Sequence, residues 1–379
     1  MASEENRIPI AAPGRAYHSQ KNAIDEAISN VLSQGHYIQG KHCQAFEDRF
    51  ASWVGAQHGI AVASGTDALS IALRSFGLKP GDAIVTAANT AGATIAAIQA
   101  CGCTPILADI DEATLNIDVG SAQQVIEQYK DAYPIRAIIP VHMYGQSAAM
   151  SDVLELATKF DLIVVEDAAQ AHGSSWDQKY VGGWGHAAAF SFYPTKNLGA
   201  FGDAGMLLTS INEIEQQARE LRQYGWRERQ VSYRQGINSR MDEIQAAILS
   251  TRFTKFEQET ARRQAIAKRY QDELKDLVEF RCPHTHERAT HVYHQFVLRH
   301  SERDDLAQHL SQAGIDTAVL YPVPVHKQPA WQELPKEKEQ GLRVTEQTAS
   351  NILSIPVHPF LTEQEVTRVI EAIKSYTLK

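Results

Sequence analysis

HAAAFSFYPTKNLGAFGDAGMLLT, residues 186–209, sets two apolar runs on either side of a single lysine. Residues 187–192 have the composition of a buried strand, Tyr193-Pro194-Thr195 makes a turn, and Lys196 follows at once. Gly199, Gly202 and Gly205 then lead into a second strand over 206–209. A lysine between apolar strands, amid small residues, is a poorly solvated cation. Burial disfavours the ammonium and lowers its pKa, which is what an amine nucleophile needs. The chemistry that uses such an amine is Schiff-base formation with a carbonyl compound. A surface lysine in a hairpin loop fits this stretch equally well.

Outward from this segment the chain alternates strands and helices. Apolar runs at 59–63, 83–86, 104–108, 136–141 and 162–166 are mostly separated by helix-length segments such as 92–100, 121–130 and 150–160. Near-continuous apolar strands in that alternation imply a mostly parallel sheet covered on both faces. Ligands of such sheets sit at the carboxyl ends of the strands. Gly65, Thr66, His142, Tyr144, Asp167, Gln170 and Lys196 fall there. Ser64-Gly65-Thr66-Asp67 follows a short strand and opens a helix through Phe76. That arrangement binds phosphate through free N–H groups, although Ser, Thr or Asp after a glycine is also ordinary capping. The strand at 162–166 runs into Glu166 and Asp167 as a nucleotide-hydrolase strand would, but no GxxxxGK[ST] loop accompanies it.

The flanks read differently. Residues 1–20 form an arm with Pro9, Pro13 and Gly14, followed by helices at 21–32 and 43–54. Beyond 209 come a helix at 213–224, an Arg-rich loop (Arg227, Arg229, Arg234) and a long helical run from Asn238 towards Leu274. A strand-like piece at 293–299 and helices at 302–313 and 362–375 complete the chain, with a Pro/His-rich segment from Tyr321 to Pro329 between them. The change in character places a domain boundary near residue 250, giving units 1–250 and 251–379. Asn238, at the opening of the long helix, has helix capping as its ordinary role.

Composition narrows the class. Thirty-six basic against 45 acidic residues give a formal net charge of -9, with no long basic block, which argues against a nucleic-acid partner. The 44% hydrophobic content suits a full core. The start, Met1-Ala-Ser-Glu-Glu-Asn-Arg7, has no apolar signal core, and no run is long enough for a membrane span. Cys43, Cys101, Cys103 and Cys282 make no CxxC pair and no zinc spacing. The expectation is a cytoplasmic protein with no metal site.

Ser191-Phe-Tyr-Pro-Thr-Lys196-Asn-Leu-Gly, with Gly202-Asp-Ala-Gly205 after it, resembles the cofactor-lysine motif of the DegT/DnrJ/EryC1/StrS family. The segments Asp167-Ala-Ala-Gln170-Ala-His172-Gly, Val141-His-Met-Tyr-Gly-Gln146, Asn238-Ser-Arg-Met-Asp-Glu, Tyr293-His-Gln-Phe296 and Ile355-Pro-Val-His358 extend the likeness over most of the chain. These are pyridoxal-phosphate (PLP) dependent aminotransferases of nucleotide-linked sugars. The resemblance implies the type I fold of PLP-dependent transferases: a large domain with a mostly parallel, mixed seven-stranded sheet, and a smaller C-terminal α/β domain. It implies that Lys196 holds PLP, that Asp167 faces the pyridine nitrogen and that Gln170 lies on the ring-hydroxyl side. Gly65, Thr66 and Ser191 would hold the phosphate, joined by Asn238 from the second subunit of a homodimer with shared active sites.

His142, Tyr144, His294, Tyr321 and His326 are candidates for substrate contact, since they lie in or beside family-like motifs. His172, His186 and His358 are set aside, because with 15 histidines one near any site is expected by chance. The family often places an aromatic residue after an Asn-Thr like Asn89-Thr90 to stack on the cofactor ring, and here that position is Ala91. The activity implied is transfer of an amino group, from glutamate, to a keto-deoxysugar on a nucleotide diphosphate. Gly202-Asp203 resembles members that aminate the third carbon of a dTDP-sugar. Amination at the fourth carbon, a cyclitol substrate, and a PLP-binding regulator without turnover are the alternatives.

Overall fold

Apolar strands need cover on both faces, and seven of them find it in one sheet. In a computed structural model the chain is described over residues 7–339 and 341–376. The opening residues 1–6, on which the expectation about a signal core largely rests, lie outside the described residues. Three helices come first: α1 (Pro13–Ser19), α2 (Lys21–Gln34) and α3 (Lys41–Val54). Then β1 (His58–Val62), α4 (Gly65–Ser75), β2 (Ala83–Ala87), α5 (Gly92–Ala100) and β3 (Thr104–Ala108) alternate. The alternation continues through α6 (Val119–Tyr129), β4 (Ile135–Ile139), α7 (Met150–Phe160) and β5 (Ile163–Asp167). Two short strands, β6 (Ser175–Trp176) and β7 (Lys179–Tyr180), precede β8 (Ala187–Ser191) and β9 (Gly205–Thr209).

The sheet order is β1-β9-β8-β5-β4-β2-β3. Only β9 is antiparallel to its neighbours, β1 and β8. The remaining pairs are parallel, with Asp167 opposite Ala189 and Ile138 opposite Val164. One face packs under α4, α5 and α8 through residues such as Ile71, Ile98 and Leu207. The other packs under α6 and α7 through Val125, Val153 and Ile138. Beside them Phe46, Phe50, Phe190 and Phe192 join α3 to β8 in an aromatic cluster.

The later part of the chain contains α8 (Asn212–Leu221), β10 (Trp226–Glu228), β11 (Val231–Ser232), α9 (Glu243–Phe253) and α10 (Phe256–Leu274). After β12 (Ala289–Thr290) come β13 (Phe296–Arg299), α11 (Arg303–Gln312), α12 (Arg343–Asn351), β14 (Ile352–Ile355) and α13 (Glu363–Tyr376). β13 and β14 pair antiparallel, and α10, α11 and α13 close a second apolar core around Tyr270, Phe296 and Leu306.

Four local expectations change. The arm contains a helix, α1, because Pro13 stands at its first position where a missing N–H costs nothing. The Arg-rich loop carries the small β10–β11 hairpin. The long helix is two helices: it ends in a tight turn in which Thr254 N and Lys255 N bond to Thr251 O and Arg252 O. It also starts later, at Glu243, so Asn238 caps no helix and instead pairs with Gln223 in an antiparallel bridge. Tertiary demand overrides local propensity there. The Glu243 carboxylate is drawn across to α3, accepting from Gly40 N, His42 N and Cys43 N at 2.8, 2.9 and 2.9 Å.

Alternation along β5 sends its two terminal carboxylates to opposite faces. Glu166 is fully buried on the face away from the cavity described below. It accepts from Gly182 N, Trp184 N and Gly185 N at 2.7–2.8 Å and meets His142 Nε2 at 3.0 Å. Burial pushes its pKa up, but the His142 contact and the backbone donors together hold it below the usual carboxylate value. Removing one partner of such a network strands the others. Glu166→Ala should therefore cost about 3–5 kcal/mol and lower the denaturation midpoint sharply. A loss below about 1 kcal/mol in urea unfolding would show that the loop at 182–185 does not need the carboxylate.

Candidate active site

At the carboxyl edge of the sheet, β1 runs into α4 through Ser64. Its Oγ accepts from Asp67 N at 3.1 Å, so the capping reading is correct for this residue. The N–H groups of Gly65 and Thr66 then belong to a first helical turn that has no partners within its helix. A Cβ on Gly65 would lie 2.8 Å from Ser191 Cβ, and one on Gly205 would lie 2.3 Å from Ser64 C. Glycine at both places lets the helix start, β8 and β9 converge.

They converge on a cavity of about 240 Å³ whose lining includes Gly65, Thr66, Asp167, Gln170, Ser191 and Lys196. The structure thus brings together seven elements of the sequence reading if Ser64 is counted with them. Asp167, at the end of β5, is 6% exposed. Its Oδ2 accepts from Thr94 Oγ1 at 2.8 Å and its Oδ1 from Ala169 N at 3.2 Å. Burial raises the Asp167 pKa, while those donors and the Lys196 charge act against the rise. Lys196 closes a turn through its own N–H to Tyr193 O at 2.8 Å. Burial pushes its amine down to about 8, and only the Asp167 charge holds it up.

Gln170 is fixed from both sides: Oε1 accepts from Tyr144 N at 2.8 Å and Nε2 donates to Tyr321 Oη at 3.2 Å. Tyr144, in a left-handed conformation with φ 59°, donates its hydroxyl to Leu320 O. Tyr144 and Tyr321 therefore support the site through Gln170. Burial, then the Asp167 charge, pushes the Tyr321 phenol up to about 12, so it stays a neutral donor and acceptor.

The histidine candidates lie elsewhere. His142 is fully buried, held by Glu166 and by Ala148 N, which donates to Nδ1 at 3.0 Å. His326 pairs through Nε2 with Glu346 Oε1 at 2.9 Å, beside an apolar cluster containing Val325 and Leu107. His294 meets Asn197 Oδ1 at 3.3 Å and lines a second, smaller cavity that also touches Lys196. None of the three lines the main cavity. Asn238 is exposed and outside it too. The adjoining Ser239 is anchored at the start of α4, donating to Asp67 Oδ2 at 2.7 Å and accepting from Ala63 N at 3.0 Å.

Thr94, the hydroxyl donor to Asp167, is absent from the sequence-based candidates. Its signal was the i,i+4 spacing from Thr90, whose Oγ1 lies 2.7 Å from Thr94 Oγ1. Tyr193 and Asp203 also line the cavity, though the quoted motif gave neither a task. At the position where an aromatic is common, Ala91 and Ala93 line the wall. The nearby indole is that of Trp331, so close to α5 that a Cβ on Gly92 would lie 2.8 Å from its ring. Its Nε1 donates to Gln99 Oε1 at 2.9 Å.

The donor set fits a flat heterocycle carrying an aldehyde and a phosphate. A buried carboxylate suits a protonated ring nitrogen, a helix start and a hydroxyl suit a phosphate, and a low-pKa amine suits the aldehyde. Among the described residues no group of three His, Cys, Asp or Glu is placed to hold a metal. None of the described helices is long and apolar enough to cross a membrane.

A model of the DegT/DnrJ/EryC1/StrS aminotransferase family matches residues 18–374. The dTDP-3-amino-3,4,6-trideoxy-alpha-D-glucose transaminase of Streptomyces venezuelae is 38% identical over 375 residues, 99% of this chain and 97% of that one. The dTDP-3-amino-3,6-dideoxy-alpha-D-galactopyranose transaminase of Aneurinibacillus thermoaerophilus is 39% identical over 353 residues, 93% and 95% of the two chains. The crystal structure of S. venezuelae DesV in complex with a ketimine intermediate superposes with a TM-score of 0.93 at 38% identity. That match covers 98% of this chain and 99% of the other.

The lowered Lys196 amine is measurable directly. In protein stripped of carbonyl ligands, competitive acylation read by mass spectrometry should give Lys196 an apparent pKa near 8. Asp167→Asn removes the charge that holds the value up and should move it lower. A titration above about 10, the value of a solvated lysine, would show that the amine is not desolvated.

Proposed function

The chain belongs to the DegT/DnrJ/EryC1/StrS aminotransferase family, and from that membership we propose that it moves an amino group from glutamate to a nucleotide-linked keto-deoxysugar. Its cofactor is pyridoxal phosphate. The acceptor we assign is the third carbon of a dTDP-sugar, in keeping with the two 3-amino-sugar transaminases it resembles. The observation that carries the reading is the meeting of Lys196, Asp167 and the α4 N-terminus in one cavity. A cytoplasmic enzyme is the natural setting for such a substrate.

When bound, PLP supplies an electron sink for the charge that develops at the carbon exchanging its amino group. Lys196 is the residue that would hold its aldehyde carbon. With a pKa near 8, Lys196 Nζ takes up and returns a proton close to neutral pH. Asp167, held by Thr94 and Ala169, would face the ring nitrogen and keep it protonated. Gly65, Thr66 and Ser191 would bind the phosphate, and Gln170, clamped between Tyr144 and Tyr321, would meet the ring hydroxyl. His142 acts from behind β5 by holding Glu166, and we assign it no substrate contact.

The working unit we propose is a homodimer with shared sites. Asn238 is exposed, outside its own cavity, and carried on a segment that Ser239 pins beside α4. Exposed Val231 stands on the neighbouring hairpin and exposed Tyr224 and Tyr233 flank it, as a surface awaiting a second copy would require. We also divide the chain into a cofactor-binding part and a smaller C-terminal part, near the break between α9 and α10.

Glutamate should convert the yellow holoenzyme to its colourless form, and a screen of dTDP-keto-sugars read by product mass should show amination at the third carbon. Exclusive amination of 4-keto substrates would move the assignment to the fourth carbon, and no reaction with glutamate would favour a regulator. Lys196→Ala should abolish turnover, and Asp167→Ala should lower it by about 10³-fold or more, since an unprotonated pyridine is a poor electron sink. A loss under about tenfold, about 1.4 kcal/mol, would mean that another group contacts the ring nitrogen.

The shared site has its own test. Lys196→Ala and Asn238→Ala chains, each nearly inactive, should regain activity when refolded together, because half-and-half dimers contain one intact site. Heterodimers verified by mass but inactive would place Asn238 within its own subunit's function.

A further inference from the structure

The smaller cavity beside Lys196 has a charge composition that the amino-transfer reading does not use. It measures about 30 Å³ and lies between α1, the 194–196 turn, α9, α10 and the 358–360 segment. Its charged and titratable lining consists of Arg252, Arg263, Lys196, His294 and His358, with no acidic residue. Arg252 is 3% exposed and Arg263 is 8% exposed.

Arg252 has a partial set of partners. It donates from Nη1 to Gly199 O at 2.6 Å and from Nη2 to Glu259 Oε2 at 3.3 Å, while its Nε is buried without a partner. Arg263 has less: Nη1 reaches Tyr293 O at 3.4 Å, and among the described residues it forms no ion pair. Burial pushes the Arg263 pKa down to about 10, the Glu259 charge opposes this and the Arg252 charge adds to it, so the group remains a cation at neutral pH. Burial also drives His294 well below its ordinary value and takes His358 down to about 3, so neither adds positive charge. Two largely buried guanidinium groups therefore share one carboxylate, that of Glu259. A buried cation without a counter-charge is costly, and the available remedy is an anion.

We propose that this cavity binds one small monovalent anion of chloride size between Arg252 and Arg263. The size of the space favours a small ligand. The cavity measures about 30 Å³ against about 240 Å³ for the main one, which suits a small inorganic anion better than a nucleotide phosphate. Among the described residues Arg263 has only the long bond from Nη1 to Tyr293 O, so its guanidinium has N–H groups left to meet an anion at this cavity. The anion ties α1, α9, α10 and the 358–360 segment together immediately beneath the lysine turn.

The test uses the purified holoenzyme. A crystal grown in sodium bromide should show an anomalous peak bounded by Arg252 and Arg263. In solution, replacing gluconate by bromide or chloride at constant ionic strength should raise Tm by about 1–2 °C and then saturate, as a single site requires. General salt effects do not mimic this, because bromide is less stabilising than a kosmotropic anion. Arg263→Met should abolish both the peak and the Tm response, and Arg263→Lys should weaken them. Should either variant fail to fold, the wild-type measurements decide alone. A cavity without the anomalous peak, or a peak without any Tm response, overturns the proposal.

Discussion

A buried carboxylate, Glu166, holds the architecture around the site. It collects three backbone N–H groups from the 182–185 loop and the imidazole of His142, all away from water. The His142 end continues to Ala148 N, so one charge fixes the segment after β4 and the segment before β8 at the same time. Those two segments bracket β5. Its next residue, Asp167, points the other way because strand side chains alternate, and its position in the cavity is inherited from the anchored strand. Two adjacent acids thus have opposite work: one is spent on structure so that the other can stand at the site.

A second tie runs from the start of α4 to the segment following α8. Ser64 caps Asp67 N, Asp67 accepts from Ser239, and Ser239 accepts from Ala63 N. This closed set of hydrogen bonds fixes the helix terminus, whose free N–H groups suit a phosphate, and it fixes where the neighbouring Asn238 emerges. The close approaches at Gly65 and Gly205 belong to the same arrangement, since a side chain at either would separate the strands from the helix start.

Desolvation is the common electrostatic cause across the region. It lowers Lys196 and raises Asp167, so the two ionised forms depend on one another. It also keeps His172, His291, His294 and His358 well below the range in which histidine ordinarily carries charge. None of these four lines the main cavity, and all are neutral packing groups under ordinary conditions. The arginines below Lys196 cannot respond in that way, because a guanidinium does not give up its proton, and their charge has to be met by an opposite one.

Local pattern determined the seven-strand alternation, the Ser64 cap, the lysine turn and the split roles of Glu166 and Asp167. Each depends on periodicity or on neighbours a few residues away, and the sequence carries such information directly. It also carried Lys196, Asp167, Gln170, Gly65, Thr66 and Ser191, which the fold gathers around one cavity. The histidines were another matter. His142, His294 and His326 share family-like surroundings, but only the packed structure shows Glu166, Asn197 and Glu346 beside them. Thr94 beneath Asp167, Trp331 against Gly92 and Glu243 across α3 are likewise contacts between residues 73, 239 and about 200 positions apart. No local propensity encodes them. They were decided by burial, because a polar group removed from water takes whichever partner the closed fold brings within reach.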